Sequence, residues 1–185
     1  MNRESNSKTS LFLMELIISI LFFSITGAVC VKLFVNAHVI AQHSVALTNA
    51  VMWAQNCSEA YTGCDGNLND LSAIYPDCCV LVNEETPQKG TLLIFLDKNW
   101  KPISYPTDHT AGIQNAAYEV VLTAASESAS RIFSSNAPAD SAAIVSSVFI
   151  LSIQNHNIYT TSIPDTTQNV IYTITADHYT GGENQ

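Results

Sequence analysis

The longest apolar segment of the chain runs from Leu11 to Val35 and reads LFLMELIISILFFSITGAVCVKLFV. Glu15 and Lys32 are its only charged residues, which leaves residues 16–31 without any charge. Those residues alone would form a helix of about 24 Å, and their apolar flanks extend it to the thickness of a bilayer core. The pattern predicts one membrane-spanning helix.

A helical pattern continues beyond this segment, because residues 36–61 contain neither Gly nor Pro. Apolar residues recur there at helical spacing, near one stripe, at Ile40, Leu47, Val51 and Ala54. Gly63 and Gly66 then interrupt the pattern. We predict a single helix from Leu11 to about Glu59, whose second half lays its apolar stripe on a globular domain.

Short apolar runs bounded by turn residues follow this helix and predict β-strands. They are Cys78–Asn83, Thr91–Asp97, Lys101–Tyr105, Ala116–Ala124, Ser146–Gln154, Ile158–Ile163 and Val170–Ala176. Asp97–Trp100 predicts a tight turn, and alternation predicts that Val170, Tyr172 and Ile174 share one face. The Ser- and Ala-rich residues 126–143 fit either a loop or a short helix. The predicted fold is α+β, a long N-terminal helix packed on a small antiparallel sheet of four to six strands.

Charge is unevenly distributed along the chain, whose net formal charge is −9. Beyond Lys32 there are fourteen acidic residues against four basic ones, so this segment carries about −10. A domain of this charge repels nucleic acid and anionic lipid. Arg3 and Lys8 precede the apolar segment, which predicts that the first ten residues stay in the cytoplasm and the acidic domain lies outside.

Glu15 is the feature that an ordinary membrane anchor does not explain. A carboxylate in a membrane span costs about 2.5–3.5 kcal/mol at the helix centre and less toward its edge, so it needs a partner. Lys32 lies about 25 Å away along a helix, and Lys8 is about two turns back. A cut just before Leu11 would create an α-ammonium group four residues from Glu15, in the same helix or facing it from another subunit.

The N-terminal segment resembles the type IV pilin and pseudopilin family. The polar leader MNRESNSKTS is followed by Leu11, by Glu15 at the fifth position after the junction, and by the apolar LIISILFFSITGAV. The resemblance implies cleavage between Ser10 and Leu11 by a prepilin peptidase, N-methylation of Leu11, and use of Glu15 in assembling a filament. The family nearly always has Gly at the position of Ser10 and usually Phe at that of Leu11.

Two simpler interpretations of the same segment stay open. One is a signal peptide cleaved near the small residues Thr26, Gly27 and Ala28. The other is a plain signal anchor in which Glu15 has no role. Both leave the intramembrane carboxylate without a partner.

Candidate chemistry in the rest of the chain is sparse. Cys57, Cys64, Cys78 and Cys79 belong to the exported part, where disulfides form, and Cys57 with Cys64 is the candidate pair. No paired C-x-x-C spacing indicates zinc, and residues 65–70 lack the full calcium-loop pattern and predict a turn. Trp100, Tyr105, Tyr159, Tyr172 and Tyr179 fit either a binding face or strand packing.

These patterns and the resemblance together predict a structural protein, with no enzyme activity, no cofactor and no metal. The expected organisation is a leader at 1–10, a transmembrane half-helix at 11–35 and an exported domain at 36–185. The resemblance implies a minor pilin or pseudopilin of a type IV pilus, competence or type II secretion-like filament. Its partners would be other pilin-like subunits, the prepilin peptidase, an assembly platform and the membrane. The alternative is a membrane-anchored binding domain that never polymerises.

Overall fold

The computed structural model describes residues 3–76, 78–104, 115–132, 142–153 and 170–179. Its helices are α1 (Arg3–Gly63), α2 (Leu68–Ile74) and α3 (Ala129–Ile132). Its strands are β1 (Cys79–Thr86), β2 (Lys89–Leu96), β3 (Tyr118–Ser128), β4 (Ala142–Ser152) and β5 (Val170–Tyr179). The chain divides into two compact units, residues 1–45 and 46–185.

The five strands form one antiparallel sheet in the order β1-β2-β3-β4-β5, so each strand pairs with its neighbour in sequence. Its register places Leu92, Leu122, Val148 and Ile174 in one row across four strands. The next row, Leu93, Val121 and Phe149, points to the opposite face because side chains alternate along a strand. The predicted α+β class and the predicted long N-terminal helix are confirmed.

Each face of the sheet carries its own apolar cluster. The first cluster combines one sheet face with buried residues of α1 and α2. From α1 it takes Ala50, Ala54, Cys57 and Tyr61, spaced at four, three and four residues. The second cluster, on the other face, consists of Leu93, Phe95, Val121, Phe149 and Leu151. The end of α1 therefore packs on one side of the sheet. Of the predicted stripe only Ala54 is buried, whereas Ile40 and Leu47 are exposed and Val51 is half-buried, so the predicted stripe is wrong in those three residues.

The first helix is longer than the predicted span from Leu11 to about Glu59, because it begins at Arg3 and ends at Gly63. Its end is a Schellman motif, in which the Gly66 amide donates to the Tyr61 carbonyl (3.0 Å) and the Asp65 amide to the Thr62 carbonyl (3.1 Å). Asp65 and Gly66 take positive φ values of 51° and 74°. Asp65 thus ends the helix in the left-handed conformation with Gly66 completing the motif, whereas Gly63, where the pattern was predicted to break, is still helical.

The predicted turn over residues 65–70 is wrong in its second half, where α2 begins at Leu68. The Asn67 side chain accepts hydrogen bonds from the backbone amides of Asn69 (2.9 Å) and Asp70 (3.4 Å) and so caps this helix. Leu68 and Leu71 are fully buried, one turn apart. A side-chain cap and two apolar contacts are enough to stabilise a helix of seven residues here.

The predicted strand Lys101–Tyr105 is not formed in its described part. Pro102 makes only an isolated bridge to Leu96, and the Ile103 amide donates to the Phe95 carbonyl at 2.9 Å. Pro has no amide hydrogen, so it cannot continue the ladder. The tight turn before it is confirmed, since the Trp100 amide donates to the Asp97 carbonyl at 3.0 Å.

In β5 the predicted common face of Val170, Tyr172 and Ile174 is wrong for Val170. Val170 pairs with Leu151 and Tyr172 pairs with Ile150, so Ile171 is an extra residue and forms a β-bulge. The bulge reverses the alternation, and Val170 packs on the second cluster while the other two pack on the first.

The Ser- and Ala-rich segment 126–143 resolves into several parts. Its first residues end β3, α3 covers Ala129–Ile132, and β4 begins at Ala142. The predicted strand Ile158–Ile163 lies outside the described residues.

Candidate functional site

The apolar segment of α1 exposes all of its side chains. Every residue from Ser10 to Val45 is exposed, including Phe23 at 82% and Phe34 at 77% of their surface. Among the described residues, this is the one helix long and apolar enough to cross a membrane. An apolar surface of this length requires lipid or other apolar helices around it.

The hydroxyl groups within the apolar segment are satisfied by the helix itself. Ser19 donates to the Glu15 carbonyl (2.9 Å), Ser24 to the Ile20 carbonyl (2.8 Å) and Thr26 to the Phe22 carbonyl (2.9 Å). Such bonds to the preceding turn allow hydroxyls to lie in lipid at little cost. Glu15 remains as the one charged side chain between residues 11 and 31.

Ser10, Leu11 and Glu15 lie within one exposed stretch of α1. Leu11 and Glu15 are four residues apart, which sets them one above the other, with a rise of about 6 Å. A cut between Ser10 and Leu11 would make Leu11 the first residue of the helix. Glu15 would then sit near a helix N-terminus, where the helix dipole and the new ammonium group both favour a carboxylate.

Three cysteines meet where the end of α1 faces the sheet. Cys57 is fully buried in the first cluster, and Cys64 and Cys79 pack against it. Burial, with a smaller contribution from Cys79, raises the pKa of the Cys57 thiol to about 12. Burial also raises the pKa of Cys64, helped by Asp70 and Asp65. These thiols are therefore protonated and weakly nucleophilic at neutral pH.

The structure holds all five cysteines as free thiols. Because α1 continues to Gly63, it sets the Cα atoms of Cys57 and Cys64 about 10 Å apart. A disulfide needs Cα atoms about 4.4–6.8 Å apart. The predicted bond between this pair stays a prediction, and it requires the last turns of α1 to unwind.

Aromatic side chains fix the same end of α1 to the domain. The Trp53 indole donates to the Trp100 carbonyl at 3.2 Å. Trp100 stacks on Tyr118 with ring centroids 3.8 Å apart, and Trp53 lies 6.3 Å from Tyr75. Trp100 adopts a positive φ of 63°, which the turn after β2 imposes. Trp100 and Tyr172 thus pack at the sheet, whereas Tyr105 and Tyr159 lie outside the described residues.

Sequence reasoning missed two features of this region. The proximity of Cys57 to Cys79 depends on how the helix packs on the sheet, which spacing along the chain does not reveal. Glu119 lies fully buried on β3, between Phe95 and Leu151 of the neighbouring strands. A single acid within the apolar run Ala116–Ala124 was the available signal for it.

No group of three or more His, Cys, Asp or Glu side chains that could hold a metal ion occurs within the part of the chain that the structure describes. No protein-family model matches the sequence, and no curated protein or solved structure matches it.

Proposed function

We propose that the protein is a structural subunit, a minor pilin or pseudopilin, of a type IV pilus, competence or type II secretion-like filament. One observation carries this proposal: an exposed apolar helix holds a single carboxylate, Glu15, five residues after the junction with a basic leader. An anchor needs the apolar helix but has no use for the acid. A subunit that packs its helix against identical helices has a use for both.

In the proposed mechanism, each subunit first resides in the membrane. The apolar part of α1 holds the protein in the bilayer, and a prepilin peptidase removes residues 1–10, after which Leu11 is N-methylated. When an assembly platform extracts the subunit, the apolar helix must be buried again. The same helices of neighbouring subunits provide that environment.

Glu15 then sets the register of the helices. In the apolar interior of the bundle it pairs with the Leu11 ammonium group of a neighbour. A subunit docked one turn too high or too low would leave both charges unpaired in a low-dielectric medium, which is strongly unfavourable. The carboxylate therefore selects one arrangement among many that bury the same apolar surface.

The domain beyond the membrane forms the surface of the filament. Its excess of acidic residues keeps subunits soluble and does not favour nucleic acid. Arg3 and Lys8 on the leader favour its retention in the cytoplasm, which places the domain outside. The protein is thus proposed to be a single-pass membrane protein until it enters the filament.

Replacing Glu15 tests the proposal. We expect Glu15→Ala to insert in the membrane normally but to fall at least tenfold in a sheared or secreted filament fraction, since its register is lost. Glu59→Ala is the matched control, because Glu59 is an exposed acid on the same helix outside the apolar segment. Quantitative immunoblotting of both fractions gives the ratio of filament-associated to membrane-associated protein for each variant.

Mass spectrometry of the protein from its host tests the processing step. We expect a chain that begins at Leu11 and carries one additional methyl group. A chain that retains residues 1–10 in the presence of the peptidase contradicts processing. Unchanged filament incorporation of Glu15→Ala contradicts assembly through this residue and favours a membrane-anchored binding domain.

A further inference from the structure

Four cysteines of the domain lie close together in the fold although the sequence separates them into two groups. Cys57 lies on α1 and Cys64 directly follows its last residue, while Cys78 directly precedes β1 and Cys79 begins it. The two groups meet in the first apolar cluster, where Cys57 is buried and Cys64 and Cys79 pack against it. Only a disulfide between the two groups would join the helix covalently to the sheet.

Cys57 and Cys79 belong to the same apolar cluster, Cys57 on the helix side and Cys79 on the sheet side. Cys57 occupies the buried stripe of α1, between Ala54 and Tyr61. On β1, Cys79 and Leu81 contact this cluster, while Val80 between them contacts the cluster on the opposite face. Cys79 thus points toward α1, and the electrostatic effect of Cys79 on Cys57 is consistent with this proximity.

The other two cysteines are worse partners for Cys57. Cys64 follows directly after α1, and its Cα atom lies about 10 Å from that of Cys57, beyond the reach of a disulfide. Cys78 does not belong to either apolar cluster, and its backbone amide donates to the Tyr75 carbonyl at 3.2 Å.

The side chain of Cys79, the favoured partner, is positioned by a hydrogen bond, because its thiol donates to the Ser72 carbonyl at 3.5 Å.

We propose that Cys57 and Cys79 form a disulfide once the domain reaches an oxidising compartment, and that this bond fastens α1 to the first strand of the sheet. This inference requires export but not filament assembly, so it can fail without affecting the proposed function. The oxidant is a disulfide, either of a thiol oxidase or of glutathione.

The reaction proceeds by two thiol–disulfide exchanges. The partly exposed Cys79 thiolate attacks the oxidant RSSR, forms a mixed disulfide and releases one RS⁻, which takes up a proton. The Cys57 thiolate then attacks the Cys79 sulfur and releases the second RS⁻. In sum, two cysteine thiols are oxidised, and RSSR is reduced to two RSH.

Peptide mapping of the full-length protein in detergent micelles tests the bond. The reduced protein is exposed to oxidised glutathione, alkylated in urea, and digested after Lys and Glu and before Asp. These cuts separate Cys57 on fragment 33–59 from Cys64 on 60–64, and both from the Cys78–Cys79 pair on 77–84. We expect fragment 33–59 to be linked to fragment 77–84.

Three variants identify the cysteine on fragment 77–84 and measure the effect. Oxidation should raise the thermal unfolding midpoint of the native sequence by roughly 10 °C, because the bond closes a loop of more than twenty residues. Cys79→Ser and Cys57→Ala should lose both the link and the shift, while the adjacent control Cys78→Ser keeps both. Should Cys57→Ala not fold, Cys79→Ser gives the same comparison.

Two results would overturn the inference. One is a link from fragment 60–64 to 77–84 with Cys57 alkylated, which makes Cys64 the partner. The other is loss of the link in Cys78→Ser with retention in Cys79→Ser.

Discussion

At the scale of single residues, burial governs the chemistry of Cys57. Its side chain is enclosed by the α1 stripe and the sheet, and a thiolate there would lose its hydration without gaining a cation. The pKa of about 12 therefore reflects a folded state that tolerates only the protonated thiol. This links the stability of the reduced domain to pH.

We predict that the reduced protein loses stability above pH 9. The folded pKa of Cys57 lies above the ordinary thiol value of 9.0, so the thiol stabilises the fold fully below pH 9 and progressively less as the pH rises toward 12. The loss attributable to Cys57 between pH 8 and 10.5 is about 2 kcal/mol. Tyr61, whose pKa burial raises to about 12, adds to this loss in every variant.

Urea unfolding of the reduced native sequence and of Cys57→Ala at both pH values isolates this contribution. The variant should lose about 2 kcal/mol less over the interval. Equal pH dependence in the two proteins would contradict a buried, protonated Cys57. Cys78→Ala serves as the control for removing a thiol elsewhere in the domain.

At the scale of elements, the end of α1 and the start of α2 are decided by a few backbone positions. Asp65 holds the left-handed conformation that ends α1, with φ of 51°, although Gly is the residue that adopts it without strain. Asp70 lies in the first turn of α2 and has helical geometry. The same substitution should therefore have opposite effects at these two positions.

We predict that Asp65→Gly stabilises the domain by about 1 kcal/mol, because it relieves the cost of a Cβ atom in the left-handed region. Asp70→Gly should destabilise it by a similar amount, since Gly is unfavourable inside a helix. Thermal unfolding of both variants checks the signs. A loss of stability in Asp65→Gly would mean that its side chain matters more than its backbone conformation.

Elements with a strong repeating pattern could be predicted from sequence, whereas those set by local detail could not. The apolar run and the missing Gly and Pro predict α1, and the alternating or wholly apolar runs predict the strands. The helix α2 is too short for periodicity and depends on the Asn67 cap. The reversed face of Val170 follows from a bulge at Ile171, which no alternation pattern reveals.

In the candidate site, too, some relations between residues could be predicted from sequence and others could not. Ser10, Leu11 and Glu15 are neighbours on one helix, so their relation follows from spacing alone. Cys57 and Cys79 meet only because α1 packs on the face of β1 that carries Cys79, which is a tertiary contact. The sequence therefore suggested the local pair Cys57 and Cys64, a bond that stays a prediction and that would require the last turns of α1 to unwind.

At the scale of the whole molecule, the chain consists of two units with different requirements. Residues 10–45 are exposed throughout, and their apolar part is long enough to cross a membrane. Residues 46–185 bury their own clusters, including the stripe that α1 contributes from Ala50 onward. The end of α1 thus belongs to the core of the second unit.

We predict that a fragment beginning at Ala46 folds cooperatively in water, because it retains every residue of both apolar clusters. A fragment beginning at Asp65 should not fold, since it lacks the α1 stripe and leaves one face of the sheet uncovered. Near-UV circular dichroism and urea unfolding distinguish the two. Cooperative unfolding of the shorter fragment would contradict the role of α1 in the core.

The continuity of α1 also has a mechanical consequence. A pull on its apolar end is transmitted through consecutive helical hydrogen bonds, with Gly27 as the one glycine before the final turn. Within the domain, the load reaches the sheet through the buried stripe, the bond from Trp53 to Trp100 and the bond from Tyr61 to Gln88. A covalent link between Cys57 and Cys79 would lie directly on this path. The domain would then bear tension without its helix sliding out of the sheet.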